Sequence, residues 1–160
     1  MKAFIKMKKI CIPPFFCIAL LLVSKTTVAV MPPDIYINAR KSAGHHVQIN
    51  ISSVKIPQKT PGTCRLSGVV EKVFRSKNGS LAPGIEVAFD VSCLRRFDQP
   101  GVGGTLWGSV DAIKSAKFIE VYLNGDDLPN LGVARWQYIL IPAPTADPKC
   151  PMNKPGMTCW

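Results

Sequence analysis

The sequence predicts a mainly β domain: a five-stranded, partly open barrel with a short helix between its third and fourth strands and a short N-terminal helix. Apolar and polar residues alternate with a period of two in several segments, which is typical of strands that bury one face. An Asn78-Gly79 pair separates two of these segments and is a strong hairpin signal. The alternation slips near Ser53 and again around Glu71 or Lys72, which predicts bulges that bend the strands enough to form a barrel.

The elements are predicted in the order helix, three strands, helix, two strands. Prolines and Asp34 ahead of residues 35–43, with basic residues and a glycine at the far end, predict the first helix there. Ser109, with Asp111 in the turn that follows, is the predicted N-cap of a second short helix that ends at Ala116. The predicted strands cover residues 47–56, 64–75, 85–94, 118–123 and 133–141.

The hairpin formed by the second and third strands has one apolar face. When Cys64 is placed opposite Cys93, Leu66 faces Val91 and the polar residues of both strands fall on the other side. We therefore expect that face to belong to the core. The full set of expected core residues is Leu66, Val70, Val87, Phe89, Val91, Ile119, Val121, Trp136, Tyr138 and Leu140.

The first 29 residues have the organisation of a secretory signal peptide. A lysine-rich start precedes an apolar stretch at residues 10–23, and small side chains lead to an expected cleavage after Ala29. A membrane anchor is the alternative, but this stretch would rise only about 21 Å as a helix, against a hydrocarbon core of about 30 Å. We therefore expect a secreted or periplasmic protein without stable membrane insertion after cleavage. The remaining chain carries 15 basic residues against 10 acidic ones.

Four cysteines remain after cleavage, at positions 64, 93, 150 and 159. An even number in an exported chain indicates two disulfides, and three pairings are possible. The hairpin favours Cys64 with Cys93, which leaves Cys150 with Cys159. The chain would then consist of a barrel domain over residues 30–142 and a disulfide-pinned tail over residues 143–160. Zinc binding is not expected, because the chain has no CxxC motif and its two histidines are far from every cysteine in sequence.

From residue 47 to residue 141, the order of elements resembles the OB-fold, a five-stranded Greek-key barrel. Residues 64–70 and 91–93 of this exported, disulfide-bonded chain are similar to the netrin-like branch of that fold, which includes the tissue inhibitors of metalloproteinases. The resemblance implies a binding or inhibitor-like module. Those inhibitors begin with a cysteine, whereas this chain would begin with Val30, so their inhibitory residues are not transferred to it.

No catalytic residue or cofactor site is predicted. His45 and His46 follow the first helix and are interpreted as a solvated pair, although they are also the residues that a small hydrolase would use. Ser109 is not part of a GxSxG motif. The glycines at residues 101–104 match neither the GxGxxG motif nor a P-loop, and are interpreted as a loop.

Basic and aromatic residues around the hairpin and the second helix suggest a binding surface, with an acidic protein, an anionic polysaccharide or a lipid headgroup as partner. A less favoured alternative is a barrel face that binds an oligosaccharide or single-stranded nucleic acid, and export argues against nucleic acid. We therefore expect an exported, non-enzymatic binding or inhibitor-like module. The residues predicted for its surface are Arg65, Lys72, Arg75, Lys77, Arg95, Arg96 and Trp107.

Overall fold

The computed structural model describes residues 32–100, 103–149 and 151. The predicted signal peptide and the predicted Cys150–Cys159 pair lie outside these residues. Helix α1 and strands β1 to β3 come first, followed by the short strand β4, helix α2 and strands β5 and β6. Their bounds are Pro33–Ser42 (α1), His45–Lys55 (β1), Gly62–Ser76 (β2), Glu86–Leu94 (β3), Gly108–Ser109 (β4), Val110–Ser115 (α2), Phe118–Asn124 (β5) and Asn130–Ile141 (β6).

Five strands form a closed barrel. Strand β1 pairs antiparallel with β2 and with β5, β2 pairs antiparallel with β3, and β5 pairs antiparallel with β6. Parallel pairing of β3 with β6 joins the remaining edges, and β4 adds two residues beside β3. The predicted mainly β class and the positions of both helices are confirmed. The barrel is closed where a partly open one was expected, because β3 is hydrogen-bonded on both sides.

The ends of both helices follow from their sequences. Helix α1 begins at Pro33, and Asp34 lies in its first turn. Basic residues occupy its last turn, where their charge interacts favourably with the helix dipole. Ser109 caps α2, since its hydroxyl accepts a hydrogen bond from the backbone N–H of Ala112 at 3.5 Å. Within the described residues, no helix is long and apolar enough to cross a bilayer.

Both predicted bulges are present. In the pairing of β1 with β2, the register skips Ser52 on β1 and Glu71 on β2. A third irregularity skips Phe74 on β2. A side chain at Gly68 would collide with the backbone carbonyl oxygen of Asn50, so this position needs glycine where the two strands approach most closely.

Most of the predicted core lies inside the barrel. Tyr138 and Leu140 are half-buried and pack against it, whereas Trp136 is not a member of the core cluster, which corrects the prediction for that residue. The core centres on residues that project inward from the barrel strands and on Ile113 of α2. The fully buried members at its centre are Val47, Ile49, Leu66, Phe89, Ile113, Ile119, Val121 and Leu123.

The predicted disulfide between Cys64 and Cys93 is present, with the two Cα atoms 5.7 Å apart. The hairpin register differs from the prediction by two residues, because Cys64 lies opposite Val91 and Cys93 lies opposite Gly62. A shift of two residues leaves every side chain on its predicted face. The apolar face was therefore predicted correctly from a register that was wrong.

Candidate functional site

A groove lies between β6 and the neighbouring parts of β2 and β3. It combines an indole, a phenol, two aliphatic hydroxyls, a carboxylate and a guanidinium. We call it the Trp136 groove, and the residues that line it are Thr63, Asp90, Val91, Ser92, Val133, Arg135, Trp136 and Tyr138.

An interruption of β6 shapes this groove. The pairing of β5 with β6 passes from Val121–Tyr138 to Leu123–Val133, so residues 134–137 loop out opposite a single residue of β5. Within this loop Arg135 and Trp136 have φ values of 42° and 59°. Left-handed backbone at a non-glycine residue costs about 1–3 kcal/mol, and such conformations cluster at functional sites. The interruption places Trp136 in the groove, although the alternation of the sequence had assigned it to the core.

Hydrogen bonds from the barrel exterior hold the interruption in place. The Gln137 side chain donates to the carbonyl oxygen of Arg135 at 3.1 Å and accepts from the Arg40 guanidinium of α1 at 2.8 Å. Arg40 and Gln137 are both buried, and Ala134 packs with Ala43 of the segment that follows α1. Helix α1 therefore supports one side of the loop while its other side faces the groove.

The charges at the groove are partly compensated. Asp90 accepts a hydrogen bond from Arg65 at 3.1 Å, and both side chains are well exposed, so this ion pair is screened by solvent. Arg65 also donates to the Asn130 side chain. Burial raises the pKa of the Tyr138 hydroxyl, which therefore stays protonated at neutral pH. A side chain at Gly108 would collide with that hydroxyl, so glycine here leaves room for Tyr138.

A second polar cluster lies on the outer face of β1 and β5, beneath residues 145–149, which we call the C-terminal segment. His46 Nε2 is 2.7 Å from one carboxylate oxygen of Glu120, and Gln48 donates to the other oxygen at 2.7 Å. The backbone N–H of Lys149 also donates to Glu120, at 2.8 Å. The side chains of His46, Gln48 and Glu120 are almost completely buried. A buried charge with this many hydrogen bonds is well compensated and closed to a substrate.

The burial of the histidine pair corrects the prediction that it is solvated. His45 is 1% exposed and His46 is 3% exposed. The prediction was wrong because the outer face of β1 is covered by a second layer of structure. His46 does have a carboxylate partner in Glu120, as a hydrolase would require. Residues 145–149 cover this His46–Glu120 pair.

The C-terminal segment is bound to the barrel through its backbone. The Thr145 backbone N–H donates to the Gln48 side chain at 2.9 Å, and Gln48 donates to the Thr145 hydroxyl at 2.8 Å. Lys72 donates to the Thr145 carbonyl oxygen at 3.0 Å. The start of the predicted tail therefore forms part of the folded domain.

Three of the seven predicted surface residues hold other segments together. Lys72 binds the C-terminal segment as described above. Arg75 donates to the carbonyl oxygens of Arg40 and Lys41 at the end of α1. Lys77 forms an ion pair with Asp126 at 2.8 Å. These cations bind partners within the chain.

The other four predicted residues lie in different places. Arg65 is at the edge of the Trp136 groove, as described above. Arg95 and Arg96 belong to the loop after β3 and line a different groove, beside α2. Trp107 is half-buried just before β4. The structure therefore does not bring the seven residues together on one surface.

Sequence reasoning did not identify the central residues of the Trp136 groove. Arg135 and Trp136 follow the alternation of a regular strand, and no residue type in β6 indicates a left-handed pair. The described residues contain no group of three or more His, Cys, Asp or Glu side chains arranged to hold a metal ion. Comparison of the chain with protein-family models and with curated proteins gave no match.

Proposed function

We propose that this protein is an exported, non-enzymatic binding module and that the Trp136 groove holds its ligand. The observation that carries the proposal is the left-handed pair Arg135–Trp136 in the middle of β6. Hydrogen bonds through the buried Gln137 and Arg40 side chains hold this strained conformation. The conformation places the Trp136 indole and the Arg135 guanidinium at the groove. Strain that is kept in order to orient side chains favours a role in binding.

Export is supported by the signal-like segment at residues 1–29 and by the Cys64–Cys93 disulfide, which is stable in an oxidising compartment. The cyclic strand order β1-β2-β3-β6-β5 and the position of α2 support the OB-like part of the proposal. The inhibitor-like function suggested by netrin-like domains is a narrower form of the same proposal.

The composition of the groove favours a saccharide that carries a carboxylate. An indole packs on the C–H face of a sugar ring, while the Thr63 and Ser92 hydroxyls and Asp90 suit its hydroxyl groups. The exposed Arg135 can bind a uronic acid carboxylate with two hydrogen bonds. An anionic polysaccharide is therefore favoured over an acidic protein. Single-stranded nucleic acid is disfavoured, because the basic residues Lys72, Arg75 and Lys77 are bound within the chain.

Calorimetric titration with a hexameric oligogalacturonate tests this proposal, with neutral cellohexaose as the comparison probe. We expect binding of the acidic probe, and Trp136→Ala should weaken it at least about tenfold. Trp107→Ala is the matched control, because it removes an indole outside the groove. Equal binding by the wild type and Trp136→Ala would refute the assignment of the groove. If neither probe binds, the saccharide assignment is wrong.

A further inference from the structure

A tight turn after β3 presents a phenylalanine to solvent. The backbone N–H of Asp98 donates to the carbonyl oxygen of Arg95 at 3.1 Å, which closes a four-residue turn with Arg96 and Phe97 at its tip. Phe97 is 88% exposed, the highest value among the exposed large apolar residues that the structure describes. Scattered apolar side chains on a surface need no explanation, but this one stands at the tip of a turn with an unusual degree of support.

Both ends of the turn are braced. The Asp98 carboxylate accepts hydrogen bonds from the Arg95 backbone N–H at 2.8 Å and from the Thr60 hydroxyl. These two bonds hold the pKa of Asp98 below its usual range. The Arg95 guanidinium donates to the carbonyl oxygen of Gln58 at 3.3 Å and to the Thr60 hydroxyl at 3.2 Å. The turn is therefore fixed to the loop that joins β1 to β2.

The Cys64–Cys93 disulfide also supports the turn. Cys93, two residues before Arg95, is fully buried and bonded to Cys64 near the start of β2. The disulfide and the hydrogen bonds hold the same two chain segments together. The exposed tip is therefore already ordered in the free protein, so binding a partner costs it little further conformational entropy.

The charge around the tip is positive on balance, since three cations lie near it against the carboxylates of Asp98 and Asp111. The Arg96 guanidinium lies over the Phe97 ring, 5.6 Å from its centroid. Arg95, Arg96 and Lys114 line the groove beside the turn, where Asp111 is the acidic residue among its lining residues. An exposed aromatic tip with an excess of cations beside it has the composition that associates with an anionic, partly apolar surface.

We infer that the Arg96–Phe97 turn docks the protein reversibly on anionic phospholipid membranes. The ring would enter the interface between headgroups and acyl chains, while Arg96 and Lys114 remain at the level of the phosphates. A membrane fits the turn better than a protein pocket does, because the apolar feature is a single projecting side chain. A stable protein interface needs about 800 Å² from each partner, whereas a bilayer accepts one ring.

Sedimentation with vesicles tests the inference on protein purified from the exported fraction of cells that express the full chain. We expect binding to vesicles of equal parts phosphatidylcholine and phosphatidylglycerol, and little binding to phosphatidylcholine alone. Phe97→Ser should lower the partition coefficient about tenfold, because it removes the burial of one ring. Arg96→Gln should lower it about fivefold, because it removes one cation near the surface.

Leu128→Ser is the matched apolar control. Leu128 is also exposed, but its loop lies beside the first residue of β1, where His45 Nε2 is 3.2 Å from the Gly125 carbonyl oxygen. The turn is braced to the loop after the last residue of β1, so the two apolar residues lie at opposite ends of that strand. Leu128→Ser should leave vesicle binding unchanged.

A Phe97→Trp variant reports depth directly, since brominated acyl chains should quench the fluorescence of an indole that enters the bilayer. The inference is overturned if the wild type does not bind anionic vesicles, which would favour a protein partner for this turn. It is also overturned if Phe97→Ser binds as well as the wild type, which would indicate adsorption by charge alone. The saccharide titration involves a different surface, so the two proposals can fail independently.

Discussion

The imidazole of His46 stacks on the phenol ring of Tyr122, with ring centroids 3.9 Å apart and an interplanar angle of 15°. The Tyr122 hydroxyl is buried and has no hydrogen-bond partner among the residues that the structure describes. Its neighbours His46 and Glu120 bond to each other instead. A buried hydroxyl without a partner loses the hydrogen bonds that it makes to water in the unfolded chain.

Tyr122→Phe should therefore not destabilise the protein at neutral pH. The ring keeps its stacking on His46 and the desolvated hydroxyl is removed, so the free energy of unfolding should rise by about 1 kcal/mol. Urea denaturation at pH 7 measures the difference. A loss of more than about 1 kcal/mol would indicate that the hydroxyl has a partner in solution.

In alkali, Tyr122→Phe should lose less stability than the wild type. Burial, followed by the charge of Glu120, raises the pKa of Tyr122 to about 12, against about 10 in the unfolded chain. The unfolded state therefore releases this proton at a lower pH than the folded state does. The stability that Tyr122 contributes is fully present below about pH 10 and falls as the pH rises from about 10 to about 12. The loss approaches about 2.7 kcal/mol once the folded state is also ionised. Wild type and Tyr122→Phe should diverge across this range, and parallel curves would contradict the shift.

Glu120 should be among the most sensitive positions of the domain. Glu120→Ala leaves His46, Gln48 and the Lys149 backbone N–H without their common acceptor in a buried layer. Removing one partner from a buried charged network costs about 3–5 kcal/mol. Glu86→Ala is the control, because Glu86 is an exposed carboxylate at the start of β3 and its loss should cost less than about 0.5 kcal/mol. Similar unfolding midpoints in urea for the two variants would show that the polar cluster around Glu120 contributes little to the free energy of unfolding.

The Cys64–Cys93 disulfide should contribute more to stability than the predicted tail disulfide. It closes a loop across a sequence separation of 29 residues, for which the loop-entropy relation gives about 3.5 kcal/mol. Cys64→Ser should therefore lower the melting temperature more than Cys159→Ser does. Calorimetry of both variants measures the order, and non-reducing peptide mapping establishes the pairing of Cys150 with Cys159. The reverse order would mean that the hairpin disulfide is not the main covalent support of the barrel.

The hairpin shows what a period of two can and cannot predict. Alternation determines which face a side chain occupies, so Leu66 and Phe89 were correctly placed in the core. It does not distinguish registers that differ by two residues, which is why Cys64 faces Val91 and not Cys93. The Cys64–Cys93 bond still forms, because a diagonal pair across two strands lies within the reach of a disulfide.

The buried polar cluster around Glu120 and the Trp136 groove could not be predicted from the sequence, for a different reason. A strand with one apolar face is expected to expose the other, and nothing in the pattern of β1 shows that residues 145–149 lie against Gln48 and against Glu120, the partner of His46. The left-handed conformation of Arg135 and Trp136 is held by Gln137, whose side chain is positioned by Arg40 of α1, a contact that local propensity does not encode. In both cases the deciding contacts join residues that are far apart in the chain.

Replacing Arg135 tests whether its backbone is strained. With φ at 42°, Arg135→Gly should relieve a steric cost, whereas Arg135→Ala keeps that cost and removes the same side chain. The glycine variant should therefore exceed the alanine variant by about 1 kcal/mol in the free energy of unfolding. The same pair of substitutions at Lys55, an exposed residue in β1, provides the comparison. In an ordinary strand glycine is worse than alanine by about 0.5–1 kcal/mol, so the sign should reverse between the two positions. If glycine is the less stable variant at both positions, the conformation of Arg135 is unstrained and does not support ligand binding at the Trp136 groove.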